Sequence, residues 1–508
     1  KGGFINQISE GVGHFSHFSM GSDAADINND ALTDIFTLDM LPESNQRQKL
    51  LMAPDNYEKF DFNLKVGFGH QYMRNMLQLN QGVLNTSSAT KYPQFSEIGQ
   101  LSGISNTDWS WSALFADYDN DGWKDLYITN GYLRDYTNMD FLKYMSDYIQ
   151  NNQANIQRQN VLDLVMKIPS SNLTNYMYKN GQNLQFKNVV SNWGMNHNAN
   201  SNGAAYSDLD NDGDLDLVIN NINQPAFIYQ NDADKQLKNH YLKIKLNGEG
   251  LNKLGVGAKV SLYKNGKVQF LEQMPTRGYQ SSVSPILHFG LGNDSEIDSL
   301  KIVWLSGKQQ LLAKVAVDRL LIVEEKEAKS ANQINQSPGP LLKETNTGIK
   351  YIAVNNAIND FKRQTLLVNP LSFNSPCMAK ADINGDGLED VFVGGGSGKT
   401  GEVYIQSKAG TFTVKAQTSF EADKQSEDAD AIFFDANGDT FPDLYVVSGG
   451  YGNMMPDDAA LQDRLYINDG KGNFTKAANA LPKMLVSKSC VRVTDINQDG
   501  KPDLFVGG

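Results

Sequence analysis

Six short apolar runs recur along the chain, and each begins directly after an aspartate. They are Ile35-Phe36-Thr37-Leu38, Leu126-Tyr127-Ile128-Thr129, Leu217-Val218-Ile219-Asn220, Val391-Phe392-Val393-Gly394, Leu444-Tyr445-Val446-Val447 and Leu504-Phe505-Val506-Gly507. A second apolar run follows several of them and is often closed by Asn or Gly, as at residues 76–82, 176–181, 227–232, 403–406 and 465–474. A phenylalanine often comes next (Phe95, Phe186, Phe412, Phe474). Runs of this length, bounded by Gly, Asn and Asp, predict strands and hairpins. Their repetition predicts small antiparallel sheets that recur along the chain, as in propeller blades.

What precedes each run is polar in a fixed pattern. The six stretches are Asp26–Asp34, Asp117–Asp125, Asp208–Asp216, Asp382–Asp390, Asp435–Asp443 and Asp495–Asp503. Each has Asp at position 1, Asp or Asn at 3, and Asp at 5 and 9. The third, DLDNDGDLD, puts five aspartates into nine residues. Carboxylates this crowded require a positive charge among them. Positions 1, 3 and 5 match those that present oxygens to calcium in a looped site, and Gly at 6 permits the positive φ that bends the chain around an ion. The side-chain ligands expected are Asp26, Asn28, Asp30 and Asp34; Asp117, Asp119, Asp121 and Asp125; Asp208, Asp210, Asp212 and Asp216; Asp382, Asn384, Asp386 and Asp390; Asp435, Asn437, Asp439 and Asp443; and Asp495, Asn497, Asp499 and Asp503. The backbone carbonyl at position 7 completes each set. Oxygen ligands without His or Cys select calcium over zinc or copper, and magnesium demands a tighter octahedron. No Glu stands at position 12 as in an EF-hand, and strands flank the loops. Ala31 and Thr440 replace the Gly of the first and fifth loops, which weakens those two sites on paper. The second and third loops, with four aspartates each, are expected to bind most tightly.

Loop spacing separates two groups. The first three loops start 91 and 91 residues apart, the last three 53 and 60. A blade needs about 40 to 50 residues, so the early repeats carry insertions. Around residues 137–168 one insertion reads as helix: Thr137 to Asp140 look like a capping box, Phe141, Met145, Tyr148 and Ile149 fall on one face, and Pro169 ends the region. Residues 42–69 are charged and aperiodic and receive no assignment. Residues 240–325 lose the loops and read as five or six strands of a small β domain. The organisation expected is 1–238 repeats with insertions, 239–326 β domain, 327–345 polar linker, and 346–508 a second set of repeats.

Net charge is −13 over 508 residues, which argues against nucleic acid as a partner. Six divalent ions would supply +12. No run of about 20 apolar residues exists to span a membrane, and no signal peptide is visible. The start at Lys1-Gly2-Gly3-Phe4 and the stop inside an apparent strand read as a segment of a longer protein. Two cysteines, Cys377 and Cys490, each stand five residues before a loop. They are expected as separate buried thiols at equivalent places, since equivalent positions two repeats apart are out of disulfide reach.

Catalytic motifs are absent. Gly394 to Thr400 ends like a phosphate-binding loop, but Val393 stands where its first Gly belongs and a strand follows it. His14, His17, His70, His197, His240 and His288 are scattered. Trp109 and Trp111 share one strand face, read as packing between blades with sugar stacking as the alternative. Arg134, Asp135 and Tyr136 are candidates for a binding surface.

The loops resemble the FG-GAP or VCBS-type repeats of integrin-α-like propellers. Gly255 to Val260, Pro285 to Gly292 and Val303 to Lys308 resemble an ASPIC/UnbV domain. His17 to Asp30, Thr107 to Gly122 and Asn359 to Leu367 look like large VCBS-repeat proteins that carry that domain. The resemblance implies an all-β chain with propeller-type repeats on both sides of a β-sandwich-like domain. It also implies a secreted protein or one on the bacterial outer-membrane surface, often as a lipoprotein anchored by an N-terminal lipid. The function expected is a calcium-stabilised, non-catalytic scaffold or binding module for a surface protein partner or glycan. The rival is a calcium-dependent polysaccharide lyase or hydrolase, since fold alone does not decide.

Overall fold

A computed structural model describes residues 6–52, 56–83, 92–152, 157–330, 346–354, 358–363, 367, 376–396, 398–450 and 454–508. The 327–345 linker expectation falls mostly outside them, as do Ser397 of the phosphate-loop look-alike and residues 364–366. The chain divides into two compact units, 1–339 and 340–508, described separately below.

The all-β expectation holds, and the repeating unit is an antiparallel meander. In the first repeat the strands are Ser22–Ala25, Asp34–Thr37, Met76–Val83 and Pro93–Glu97, paired in chain order. In the second they are Ser110–Ala116, Asp125–Asn130, Tyr176–Asn180 and Phe186–Asn188. The third has Ser201–Ser207, Asp216–Asn221 and Phe227–Tyr229. The second unit repeats the pattern with Met378–Ala381, Asp390–Val393, Glu402–Gln406 and Phe412–Lys415, then Glu427–Phe434, Asp443–Gly449, Arg464–Asn468 and Phe474–Lys476, then the pair Cys490–Thr494 and Asp503–Gly507. In every repeat the aspartate loop joins the first strand to the second.

In the second and fifth repeats the second strand reads as an unbroken apolar run because both of its faces are covered. Side chains alternate across a strand. Leu126 and Ile128 therefore enter a core shared with Phe36, Leu77 and Phe115, while Tyr127 enters the next core with Leu217 and Ile219. Leu444 and Val446 pack with Phe392 and Val403, and Tyr445 and Val447 pack with Val491. The 110–188 and 427–476 sheets are thus each a layer between two neighbours within their unit.

Both early insertions leave between the second and third strands of their sheets, and both are helical. The 42–69 stretch, unassigned from sequence, forms Asn45–Leu51 and Tyr57–Lys65, capped by the side chains of Ser44 and Asn56. The second insertion forms Met139–Asn151 and Arg158–Met166. Its cap is Asn138, which accepts the Phe141 N–H at 2.9 Å, so the box expected from Thr137 is displaced by one residue. Phe141 is buried and Met145 and Tyr148 half-buried, but Ile149 is exposed.

Residues 240–330 hold more strands than the five or six expected. His240–Asn247 lies between Ile286–Gly292 and Arg319–Glu324 in one sheet. Lys259–Lys264, Lys267–Glu272, Glu296–Val303, Lys308–Ala316 and Lys329–Ser330 form the other. Leu242, Ile244 and Phe289 from the first meet Val260, Leu300 and Ile302 from the second in one core, which makes a two-sheet sandwich. The cysteines are free and at equivalent places: Cys377 accepts the Gly394 N–H at 2.9 Å, and Cys490 pairs with Gly507. Both are half-buried rather than buried.

Candidate functional site

The six loops close on one hydrogen-bond pattern. The position-1 aspartate takes the peptide N–H groups of positions 5 and 6. Asp26 takes those of Asp30 and Ala31 (3.1 and 3.0 Å), and Asp117 those of Asp121 and Gly122 (3.0 and 2.7 Å). Asp382, Asp435 and Asp495 do the same with Asp386 and Gly387, Asp439 and Thr440, and Asp499 and Gly500. For Asp208 the position-6 bond alone is present, from Gly213 at 3.2 Å. The position-9 aspartate holds position 2 with one oxygen and the third strand with the other. Asp125, for example, accepts from Tyr118 (3.3 Å) and Asn180 (2.9 Å), and Asp443 from Ala436 (3.0 Å) and Asn468 (2.8 Å). Asp34, Asp216 and Asp390 hold Ile27 and Asn80, Leu209 and Asn231, and Ile383 and Gln406 in the same way. In the sixth loop Asp503 holds Ile496.

Position 6 has positive φ everywhere, including Ala31 (67°) and Thr440 (72°). The two loops that looked doubtful therefore keep the full geometry, with a side chain in a region that favours Gly. Position 4 is also left-handed, from 57° at Asn120 to 83° at Gly438, and four of its six residues are Asn or Gln. That requirement was missed in the sequence, although Asn at position 4 signals it.

Four asparagines that close the third strands were also missed as functional parts. Asn180 donates its side-chain amide to the carbonyl of Lys124 in its own loop (3.1 Å) and to that of Ile27 in the previous loop (2.9 Å). Asn231 bridges Leu215 and Tyr118 in the same manner, and Asn468 bridges Pro442 and Ile383. Asn80 has Thr33. Successive loops also meet directly: Asn29 donates to the Gly122 carbonyl (3.0 Å) and Asn120 to that of Gly213 (3.1 Å).

Carboxylate oxygens converge in the second and third loops. Asp117, Asp119 and Asp125 bring one oxygen each within 4.8 Å of the others, as do Asp208, Asp210 and Asp216. A further group, Asp212, Asp214 and Asp234, was not foreseen. Among the described residues no other set of three does so. In the first, fifth and sixth loops the position-3 asparagine turns its amide nitrogen toward the position-5 carboxylate (Asn28 to Asp30 2.9 Å, Asn437 to Asp439 2.8 Å, Asn497 to Asp499 3.1 Å).

Part of the required positive charge comes from lysines. Lys179 pairs with Asp119 and with Asp121 (3.0 Å). Lys243, from the sandwich, pairs with Asp208 at 2.5 Å. The oxygen-only donor set fits a hard divalent cation in the second and third loops. In the third, Asp208 Oδ1 is buried with no hydrogen-bond partner, an oxygen free to ligate. Burial raises the pKa of Asp34 to about 6 and those of Asp117 and Asp125 well above the ordinary carboxylate value, with neighbouring aspartates adding to the last two. Asp382 and Asp435 are half-buried and desolvated slightly, but their peptide N–H bonds outweigh this and lower them.

The sandwich is seated on the second and third loops. A Cβ at Gly213 would stand 1.9 Å from the Tyr241 ring, and one at Gly290 would stand 2.1 Å from Asp117 Oδ2, so both approaches need glycine. Gly292 donates to the Asn120 carbonyl (2.7 Å), and His288 Nε2 meets Asn120 Oδ1 (2.7 Å). Burial lowers His288 to about 4, which leaves it neutral and its N–H available to Asn120. Arg277 forks onto both oxygens of Asp23 (2.7 and 2.6 Å) and donates to the Tyr206 hydroxyl (2.8 Å). Arg277, Tyr206 and His288 border a cavity of about 40 Å³.

The remaining candidates resolve differently. Trp109 and Trp111 gather with Tyr132 (4.1 and 6.5 Å between centroids), and Tyr136 joins them, 43% exposed. Arg134 donates to the Ile168 carbonyl (2.9 Å), and Asp135 accepts from Ser171 (2.6 Å), so both serve the insertion rather than a free surface. The Gly395 N–H faces the Asp428 carboxylate at 2.6 Å, where a phosphate loop would need an open amide. His240 pairs with Asp318, His197 with Tyr229, and His14 meets the Tyr72 ring edge to face.

No helix among the described residues is long and apolar enough to cross a membrane. The family model described as ASPIC and UnbV matches residues 248–330, which lie in the sandwich. The FG-GAP-like repeat model matches 382–446 and 435–506, the stretches that carry the last three loops. Cartilage acidic protein 1 of Xenopus tropicalis is 34% identical over 110 residues, and its counterparts in Mus musculus and Homo sapiens are 30% identical over the same length. The match covers 21% of this chain and 16% of each of those relatives. The chain carries an ASPIC and UnbV domain at 248–330 and FG-GAP-like repeats at 382–506.

Proposed function

We propose that this chain is a calcium-stabilised extracellular scaffold that binds a protein partner or glycan and carries out no chemistry itself. The observation that carries the reading is the shared loop pattern: position-1 and position-9 carboxylates are engaged by peptide N–H groups from two strands, while further oxygens converge behind them. Asp117, Asp119, Asp121 and Asp125, and Asp208, Asp210, Asp212 and Asp216, would hold the first ions. The other four loops offer the same positions once the asparagine amide turns its oxygen inward. A bound calcium ion supplies positive charge and a cross-link at the strand turn, and the chain's own residues do the rest. A carboxylate enclosed in this way has no open face for substrate. The surface available to a partner lies on the inserted helices and the Trp109, Tyr132 and Tyr136 shelf, where aromatic faces suit sugar rings or peptide side chains.

The first test is thermal unfolding in calcium and in excess chelator. Ions that bind only the native chain raise its melting temperature by mass action, so chelation lowers it; coincident curves overturn the calcium role. The second is incubation with a panel of polysaccharides. Unshortened chains are expected, and shortening would replace the scaffold reading with a lyase or hydrolase.

A further inference from the structure

Position 7 of the aspartate loop is Leu32, Trp123, Leu388, Phe441 and Lys501 in five repeats, and Asp214 in the third. Asp214 is fully buried (0% exposed), and its Oδ1 has no hydrogen-bond partner. Its Oδ2 accepts the Asp234 N–H at 2.9 Å. That contact brings in the short helix Ala233–Gln236, and with it a third carboxylate. Oxygens of Asp212, Asp214 and Asp234 lie within 4.8 Å of one another. They are a different set from Asp208, Asp210 and Asp216 in the same loop.

A buried carboxylate with an idle oxygen, beside two more carboxylates, is unfavourable unless a cation or a proton neutralises it. The neighbouring clusters have their lysines: Lys179 at Asp119 and Asp121, and Lys243 at Asp208. Among the described residues no Lys or Arg forms an ion pair with Asp212, Asp214 or Asp234. The adjacent Lys235 is paired with Asp232 instead.

We propose that the third repeat holds a second divalent cation, ligated by Asp212, Asp214 and Asp234, beside the one its loop shares with the other repeats. The all-oxygen, triply anionic set selects a hard ion such as calcium. Asp212 is shared with the common loop ion, whereas the Asp214 and Asp234 ligands belong to this repeat alone.

The test counts calcium bound per full chain by native mass spectrometry and equilibrium dialysis. Asp234 is exposed and contributes its backbone N–H to the fold, so Asp234→Ala leaves the structure intact. Expected are one ion fewer in Asp234→Ala, one fewer in Asp210→Ala, and two fewer in the double variant. Asp234→Ala should also match or exceed the wild-type melting temperature in chelator, since it removes repulsion, and gain less from added calcium. If Asp234→Ala binds as many ions as wild type while Asp210→Ala loses one, the second site is refuted and the loop sites stand. If neither variant loses an ion, both fail.

Discussion

The side-chain amide of Asn180 donates to the carbonyl of Ile27, 153 residues earlier in the chain. The same nitrogen also holds the Lys124 carbonyl. One buried side chain therefore fastens two successive aspartate loops to each other. Asn180→Ala removes both bonds and strands two carbonyls, at about 1 kcal/mol or more each. Denaturant unfolding should show a loss of roughly 2–4 kcal/mol. Asn80→Ala, which loses a single carbonyl partner at Thr33, should cost about half as much. Equal losses in the two variants would mean that the bridge between loops contributes nothing.

Thr440 keeps position 6 at φ 72° with a β-branched side chain, where four of the other five loops use Gly. A left-handed conformation costs such a residue roughly 1–2 kcal/mol. Thr440→Gly should therefore stabilise the second unit by about 1 kcal/mol and leave the loop bonds in place. Ala31→Gly should act in the same direction on the first. A drop in the melting temperature of either variant contradicts this account of the loop.

Lys179 stands where an ion would compete with it. Its ammonium reaches Asp119 and Asp121, two expected ligands of the second loop. Lys179→Met removes that competitor and should tighten calcium binding roughly tenfold, as expected from deleting one like charge a few ångströms from the ion. It should also lower stability in chelator. Isothermal titration checks the first effect and thermal unfolding the second; weaker calcium binding would show that Lys179 assists the site.

The pH response should reverse with metal. Without it, burial raises Asp34 to about 6 and moves Asp26, Asp117, Asp119 and Asp125 upward as well. A carboxyl whose folded pKa lies above its unfolded value holds its proton better when folded. Its contribution is complete below about 4 and is lost as pH rises through the folded value. His288, lowered to about 4 by burial, works the other way and costs stability as pH falls below its ordinary 6.5. The carboxyls outnumber it, so the chelated chain should melt higher at pH 5 than at pH 7. With calcium saturating, protons compete for the same oxygens and the melting temperature should fall over that interval. Slopes of one sign in both conditions would refute the shared-oxygen account.

Much of this was legible in the chain. The aspartate spacing, the apolar run after it and the small β domain between the two groups follow from period and turn chemistry, which act over a few residues. What was not legible depends on distant partners. Nothing local tells that Asn180 spans two loops, that Lys243 reaches Asp208, or that Gly213 and Gly290 are there because the sandwich approaches so closely. The 42–69 helices stayed hidden because their apolar residues are few and their faces largely exposed, so capping by Ser44 and Asn56 defines them more than periodicity does.

Arg277 and Asp23 lie 254 residues apart in sequence and form a two-pronged pair, beside the Ser22 to Gly278 bridge. The meanders pair neighbouring strands and can form early and locally, whereas this contact waits for a very long chain closure. A ribosome must therefore release the chain through Arg277 before its first sheet acquires this partner. Until then Asp23 stands on the edge strand of that sheet without its cation. The order of assembly is written into the chain: sheets first, clasp last.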